Sequence, residues 1–432
     1  MKISELVLYN NTDCKETLIL MEQLIDGTTD DAETAGSIAA KAVGDILIIS
    51  EKMGFKGNLW HDYLAYALAY CENPFSMSCE RKGYIKGGIN RGAAHDFEVF
   101  IKLFKADLPQ VDKKYGTCLS ILLDFENNNE QEKYFNKRIR DRIIGLAENL
   151  AKAQNADYFF DIMCSFYKEV GVGKYGMFKA FRIGNDENGH AAVNPVVSVE
   201  HIYLKDIIGY EIQKKKLTDN TEAFLRGEKA NNVLLFGDSG TGKSSSIKAI
   251  LNEYYDDGLR MIEVYKHQFK DLSAVINQIK DRNYKFIIYM DDLSFEEFEI
   301  EYKFLKAVIE GGLEKKPDNV LIYATSNRRH LVREKFSDKE ERDDDLHSRD
   351  TVQEKLSLSA RFGVSIYFGS PDKKEFTAIV KGLASRNHLD IDDETLLTEA
   401  NKWEISHGGL SGRTAEQFIN YLSYTLKNKS TE

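Results

Sequence analysis

The stretch Gly237-Asp238-Ser239-Gly240-Thr241-Gly242-Lys243-Ser244 constrains this chain more than any other. It fits GxxxxGK[ST] in full, follows the apolar run Val233–Phe236, and opens helix-period sequence running from Lys243 to Leu251. A strand, a glycine turn and a helix start in that order make an anion site, because turn amides converge beside the positive end of a helix dipole. The residue types then have assigned tasks. Gly237 through Ser245 surround phosphate oxygens, Lys243 reaches the β- and γ-phosphates, and the Ser244 hydroxyl completes coordination of Mg²⁺.

A second apolar run, Lys285–Met290, ends in Asp291 and Asp292. In a parallel sheet the carboxyl ends of the strands face the ligand crevice, so Asp291 is expected opposite Ser244, holding the same Mg²⁺. Asp292 stands where a longer acid often polarises the attacking water; solvated acids at a strand end are the alternative. Glu296 and Glu297, a few residues on, read as a solvated helix start. The run Val320–Ala324 leads into Thr325-Ser326-Asn327, which sets a polar side chain beside the γ-phosphate or, alternatively, a cap on the next turn. Arg361, before the last strand, can reach a neighbouring subunit's γ-phosphate as an arginine finger, and Arg413, at the start of a late helix, can touch the phosphates of its own subunit. An ordinary surface ion pair is the competing role for each arginine.

Short apolar runs alternate with helical stretches after Pro195: Asn232–Phe236, Met261–Val264, Phe286–Met290, Val320–Ala324 and Val364–Phe368. That grammar predicts an α/β domain with a five-stranded parallel sheet covered by helices. Lys373–Asn387, Asp393–Trp403 and Thr414–Leu426 are helical again and form a C-terminal lid. Before Pro195 the pattern is mostly helical, as in Ala35–Met53, Trp60–Cys71 and Glu130–Ala156, whereas Cys71–Gly92, with Pro74 and its glycines, reads as a long loop. The expected division is a helical N-terminal domain over 1–182, a linker over 183–200, the nucleotide domain over 201–371 and the lid over 372–432. The glycine-dense stretch from Gly171 to Pro195 is a poor second phosphate loop, since no buried strand precedes it and no Ser or Thr follows Lys174, and reads as a hinge or a strand-turn connector.

Composition narrows the function. The chain of 432 residues carries a net charge of −11, and both halves are acidic, so a dedicated DNA binder is not favoured, although a local patch could hold nucleic acid. The five cysteines (Cys14, Cys71, Cys79, Cys118 and Cys164) are odd in number and form no CxxC pair, which argues against a disulfide framework or zinc cluster. No run of eighteen apolar residues and no signal-like N-terminus is present, so a cytoplasmic protein without membrane contact is expected. An NKxD guanine-reading motif is missing after the later strands. Arg333–Gln353 mixes both charge signs rather than forming an arginine-rich lid, and its block Asp338–Asp350 reads as a surface excursion. Arg328-Arg329-His330 could meet phosphate, a neighbouring subunit or nucleic acid, or equally be solvated helix-start residues with a structural ion pair.

The ordered set resembles the AAA+ ATPases. Walker A, Walker B, sensor 1, arginine finger and sensor 2 match Gly237–Ser244, Met290–Asp292, Asn327, Arg361 and Arg413. Leu204-Lys-Asp-Ile-Ile-Gly-Tyr-Glu is similar to the segment lining the adenine pocket there, which implicates Ile207, Ile208 and Gly209. The paired aspartates and the ARFG box resemble those of replication initiators and helicase loaders. DDLSFEE, ATSNRRHL, EKLSLSARFG and SGRTAEQF resemble more closely a bacterial AAA+ family named only as a domain of unknown function, over residues 200–425. The resemblance implies ATP and Mg²⁺ as cofactors, hydrolysis of ATP, assembly with further copies of the chain, and a protein or nucleoprotein client, met through the N-terminal domain. Two departures stand out. Ser239 replaces an expected Arg, and Tyr265-Lys-His-Gln-Phe lacks the glycine of an aromatic pore loop, so polypeptide threading is not implied. A nucleotide-gated scaffold with little hydrolysis and a DNA-associated loader remain the alternatives to a remodelling ATPase.

Overall fold

The computed structural model describes residues 2–29, 31–127, 136–295, 299–310, 317–328, 331 and 358–429. Glu296, Glu297, Arg329, His330, and residues 333–353, with the charge block inside them, lie outside the described residues. The chain forms two compact units, Met1–Lys179 with Pro195–Val199, and Ala180–Asn194 with Glu200–Glu432.

The first unit is helical: α1 (Lys15–Ile25), α2 (Ala32–Met53), α3 (Leu59–Tyr70), α4 (Pro74–Lys82), α5 (Ile89–Phe104), α6 (Leu108–Tyr115), α7 (Lys137–Ala151), α8 (Ala156–Glu169) and the short α9 (Gly173–Met177). Side-chain caps start many of them, since the first amides of a helix have no partner within it. Asp31, Asn58, Asp107 and Asn155 each accept one such amide. The expected loop at Cys71–Gly92 is corrected: Pro74–Lys82 is helical and α5 already begins at Ile89. Asn73 caps α4 and accepts from Phe75 N and Ser76 N, and Pro74 occupies the first helical turn, where its missing N–H costs nothing. Phe75, Phe97, Phe100, Phe159 and Tyr167 fill the core, and buried Asp96 accepts from the amides of Val7, Leu8 and Tyr9 at 2.8–3.0 Å. All five cysteines are free thiols, four of them buried.

The second unit is built on a seven-stranded sheet: β1 (Ala180–Asn185), β2 (Ala191–Pro195), β3 (Val233–Gly237), β4 (Leu259–Glu263), β5 (Lys285–Met290), β6 (Val320–Ser326) and β7 (Val364–Phe368), in the spatial order β2-β1-β4-β5-β6-β3-β7. The five expected strands pair in parallel, and β1 adds parallel to β4. The expected linker is therefore corrected: residues 180–195 extend the sheet edge, because Phe181, Ile183 and Val193 supply buried positions for a strand pair and Asp186–His190 closes its turn. All seven residues of β6 are buried, as a central parallel strand requires. Helix α10 (Glu211–Leu225) packs on β7, and α11 (Lys243–Tyr254) packs on β4 and β6. Helices α12 (Leu272–Ile279) and α13 (Glu301–Glu310) complete the described part of this α/β layer.

The lid comprises α14 (Lys373–Arg386), α15 (Asp393–Ser406) and α16 (Gly412–Lys429). Asp372 and Glu375 form a capping box at the start of α14. Phe376, Val380, Leu396, Ala415 and Phe418 make the lid core, and Ile208 packs against it from the nucleotide layer. The parallel sheet and the helical lid are the architecture that the AAA+ resemblance implied, and the helical N-terminal region is the one that the apolar spacing implied.

Candidate nucleotide site

Strand order decides which side chains meet. The phosphate-loop strand β3 lies between β7 and β6, and β6 separates it from β5. A residue at the end of β6 must therefore stand between the loop and the paired aspartates. Asn327 does. Its amide nitrogen donates to Asp292 Oδ1 at 2.9 Å, and its carbonyl oxygen accepts from Lys243 Nζ at 3.2 Å.

The loop itself needs glycine. Gly237 has φ +135°, and a Cβ there would lie 2.0 Å from the carbonyl oxygen of Phe368 on β7. Gly240 and Gly242 also take positive φ, and Gly242 delivers the chain into α11. Lys243 is buried, and its ammonium donates to the carbonyls of Gly237 at 3.0 Å and Asp238 at 2.5 Å. Burial lowers its pKa, while Asp238, Asp292 and Asp291 favour the charged form.

Across the crevice, Ser244 Oγ donates to Asp291 Oδ1 at 2.7 Å, and Thr325 Oγ1 donates to the same oxygen at 2.6 Å. Burial pushes the Asp291 carboxyl up, but the hydrogen bonds from Thr325 and Ser244, with the Tyr289 hydroxyl nearby, together hold it below its ordinary value. Thr325 Oγ1 also accepts from the amide of Asp292, which sits at φ +49°, a left-handed conformation for a residue with a Cβ. Sequence reasoning gives Thr325 no role of its own; a hydroxyl side chain at the strand end facing Asp291 is the signal that could have found it.

A cleft of about 900 Å³ opens among these elements. Ser239 through Ser245, Asp291, Asp292, Asn327 and Arg413 all reach it, as do Ile207 and Ile208. Gly237, Asp238 and Gly209 do not line it. Gly209, at φ +81°, makes the turn that follows the two isoleucines. Arg361 is not among the lining residues either; its guanidinium pairs with Glu310 at the end of α13. The lid closes on the loop directly: the Arg413 amide donates to the Gly240 carbonyl at 3.2 Å. Sequence reasoning misses Asp206 and Arg386, which line the cleft and pair at 3.5 Å, because ion pairs between distant segments leave no periodic trace.

Ser244 and Asp291 offer two hard oxygen donors side by side. Mg²⁺ favours one or two such protein oxygens, with phosphate and water supplying the rest, so the donor set fits it. Among the described residues no group of three or more His, Cys, Asp and Glu could hold another ion. No helix among the described residues is long and apolar enough to cross a membrane.

Among curated proteins, the chain is similar to the Replication factor C large subunit of Methanococcus vannielii, at 36% identity over 73 residues, 17% of this chain and 15% of that protein. Among solved structures, it is similar to the Thermotoga maritima RuvB Holliday junction branch migration motor, at 19% identity and a TM-score of 0.38, over 53% of this chain and 66% of that chain. A mutant form of that protein gives 20% identity and a TM-score of 0.39, over 54% of this chain and 68% of that one. The chain thus spans a small part of the curated relative and about two thirds of the branch migration motor. Residues 177–426 match a family model that takes in the phosphate loop, the paired aspartates and the lid, more than half of the chain, and the protein belongs to that family, described as Protein of unknown function (DUF815).

Proposed function

We propose that this chain is an AAA+-type ATPase that binds ATP with Mg²⁺, cleaves its β–γ bond and uses the cycle to remodel a protein or nucleoprotein partner. The observation that carries the reading is the 2.7 Å hydrogen bond from Ser244 to Asp291, which joins the phosphate loop to the carboxylate strand at the start of α11. Bound Mg²⁺ would be held by these two residues and would neutralise charge between the β- and γ-phosphates. Lys243 and Arg413 add positive charge in the cleft, Ile207 and Ile208 offer an apolar wall for the base, and Asp292 with Asn327 orients the attacking water.

Arg361 stands off its own cleft, which supports a role in trans and hence a homo-oligomer. The helical N-terminal domain is then the candidate client-binding region, and five free thiols fit a reducing cytoplasm. Titration of a fluorescent ATP analogue with Mg²⁺, followed by phosphate release across protein concentrations, tests the reading. Binding and a specific activity that rises with concentration are expected; no binding by the wild-type chain overturns it.

A nucleotide-gated scaffold is the second reading, favoured by the short carboxylate of Asp292, already engaged by Asn327. Binding without phosphate release would select it. The acidity of both halves weighs against a DNA-associated loader, and salt-dependent binding to single-stranded DNA would argue for one.

A further inference from the structure

A carboxylate within a phosphate loop must point away from the triphosphate that the loop would cradle, since it would otherwise repel it. Asp238 is such a residue, and its side chain is turned elsewhere. It is not among the residues lining the cleft. Its Oδ2 accepts from Ser370 N at 2.8 Å and from Ser370 Oγ at 2.9 Å. Ser370 belongs to the short connection between β7 and α14, the hinge on which the lid is carried. The backbone of Asp238 serves the opposite side: its carbonyl accepts from Lys243 Nζ at 2.5 Å and from Thr241 Oγ1 at 2.8 Å, and its amide donates to Phe368 O at 3.0 Å. One residue thus holds the phosphate-binding ammonium through its main chain and the lid hinge through its side chain. The neighbouring hinge carbonyl, that of Gly369, accepts from Tyr210 Oη at 2.9 Å, which anchors the same connection from the segment after Ile208.

We infer that Asp238 is a positioning residue that couples the phosphate loop to the lid through Ser370. This inference rests on the nucleotide reading above. A triphosphate that draws the Lys243 ammonium off the Asp238 carbonyl alters the hydrogen bonding of this peptide unit, and the two bonds to Ser370 pass the change to the hinge. The lid then responds by shifting the amide–carbonyl contact between Arg413 and Gly240. Such a device has two arrangements that the ligand biases by its different contacts in each.

The test is hydrogen exchange of the full chain, with and without a fluorescent ATP analogue and Mg²⁺, for the wild type, Asp238→Ala, Ser370→Ala, the double variant and Asp238→Asn. Without nucleotide, Asp238→Ala and Ser370→Ala are expected to speed exchange across residues 369–386 by roughly fivefold each, and the double variant by little more than Asp238→Ala alone. Asp238→Asn keeps an oxygen for Ser370 and is expected to restore protection. With nucleotide, Asp238→Ala should bind within roughly threefold of wild-type affinity yet lose nucleotide-dependent protection of the lid, with turnover falling more than KM rises. Additive effects in the double variant, or full lid protection by nucleotide in Asp238→Ala, overturn the coupling. Failure of the wild type to bind nucleotide overturns the functional reading and the coupling together, and the nucleotide-free exchange then still reports whether the clasp exists.

Discussion

The side-chain amide of Asn327 donates to Asp292 at 2.9 Å. The bond spans the ends of adjacent strands, β6 and β5, and fixes the orientation of a carboxylate on a strained, left-handed backbone. The other end of the same side chain holds Lys243. An acid, an amide and an ammonium therefore form one chain of contacts across the cleft.

Removing the middle of that chain should disable turnover before binding. Asn327→Ala is expected to lower kcat by roughly 10- to 100-fold while nucleotide affinity changes by less than about threefold. Steady-state phosphate release beside equilibrium titration checks it; equal losses in both would show that Asn327 only supports the fold.

Lys243 is the residue whose loss should be felt in binding. Lys243→Ala is expected to abolish detectable nucleotide binding or turnover, because no other ammonium occupies that position in the loop. Full retention of phosphate release would remove the site assignment.

Arg361 does not line its own cleft, so the proposed finger role needs a second copy of the chain. Arg361→Ala should reduce turnover by about 100-fold or more with affinity nearly intact. Mixing Arg361→Ala with Lys243→Ala protein should restore activity, since a mixed assembly unites an intact cleft with an intact guanidinium. Two inactive proteins that stay inactive when mixed would rule out action in trans.

The phosphate loop depends on one missing Cβ. Gly237→Ala would set a methyl group 2.0 Å from Phe368 O at a backbone angle that L-residues avoid. The expected cost exceeds about 3 kcal/mol, read as a lowered urea midpoint. A midpoint within error of wild type would contradict the packing of β3 on β7.

In the N-terminal domain, Asp62 is buried with Oδ2 unpartnered, and burial, with the charge of Glu148, pushes its carboxyl from 3.8 up to about 7. Its native form keeps a proton that the unfolded chain has released, so stability declines as pH rises from about 4 to about 7. The decline attributable to this group is on the order of 4 kcal/mol. Urea unfolding at pH 5 and pH 8 should show about 2 to 3 kcal/mol of it in the wild type and a smaller change in Asp62→Asn. Identical pH dependence in both proteins would mean that Asp62 is ionised in the fold.

The sequence by itself determined the phosphate loop, its strand and helix, the two aspartates, Asn327 and the helical lid. Each is encoded locally, by glycines that permit a turn, by apolar periodicity, or by a polar residue where an apolar run stops. Tertiary structure alone decided the rest. Pro74 looks like a loop breaker until Asn73 is seen capping the helix that it opens. Residues 183–195 look like a linker because their strand character depends on the neighbouring edge of β4. Asp238 stands at a position its motif leaves open, and only the return of the chain at Ser370, 132 residues later, gives its carboxylate a partner. Local propensity acts within a few residues, whereas hydrogen-bond partners and sheet edges are brought together by burial of the whole core, so no short window of sequence contains them.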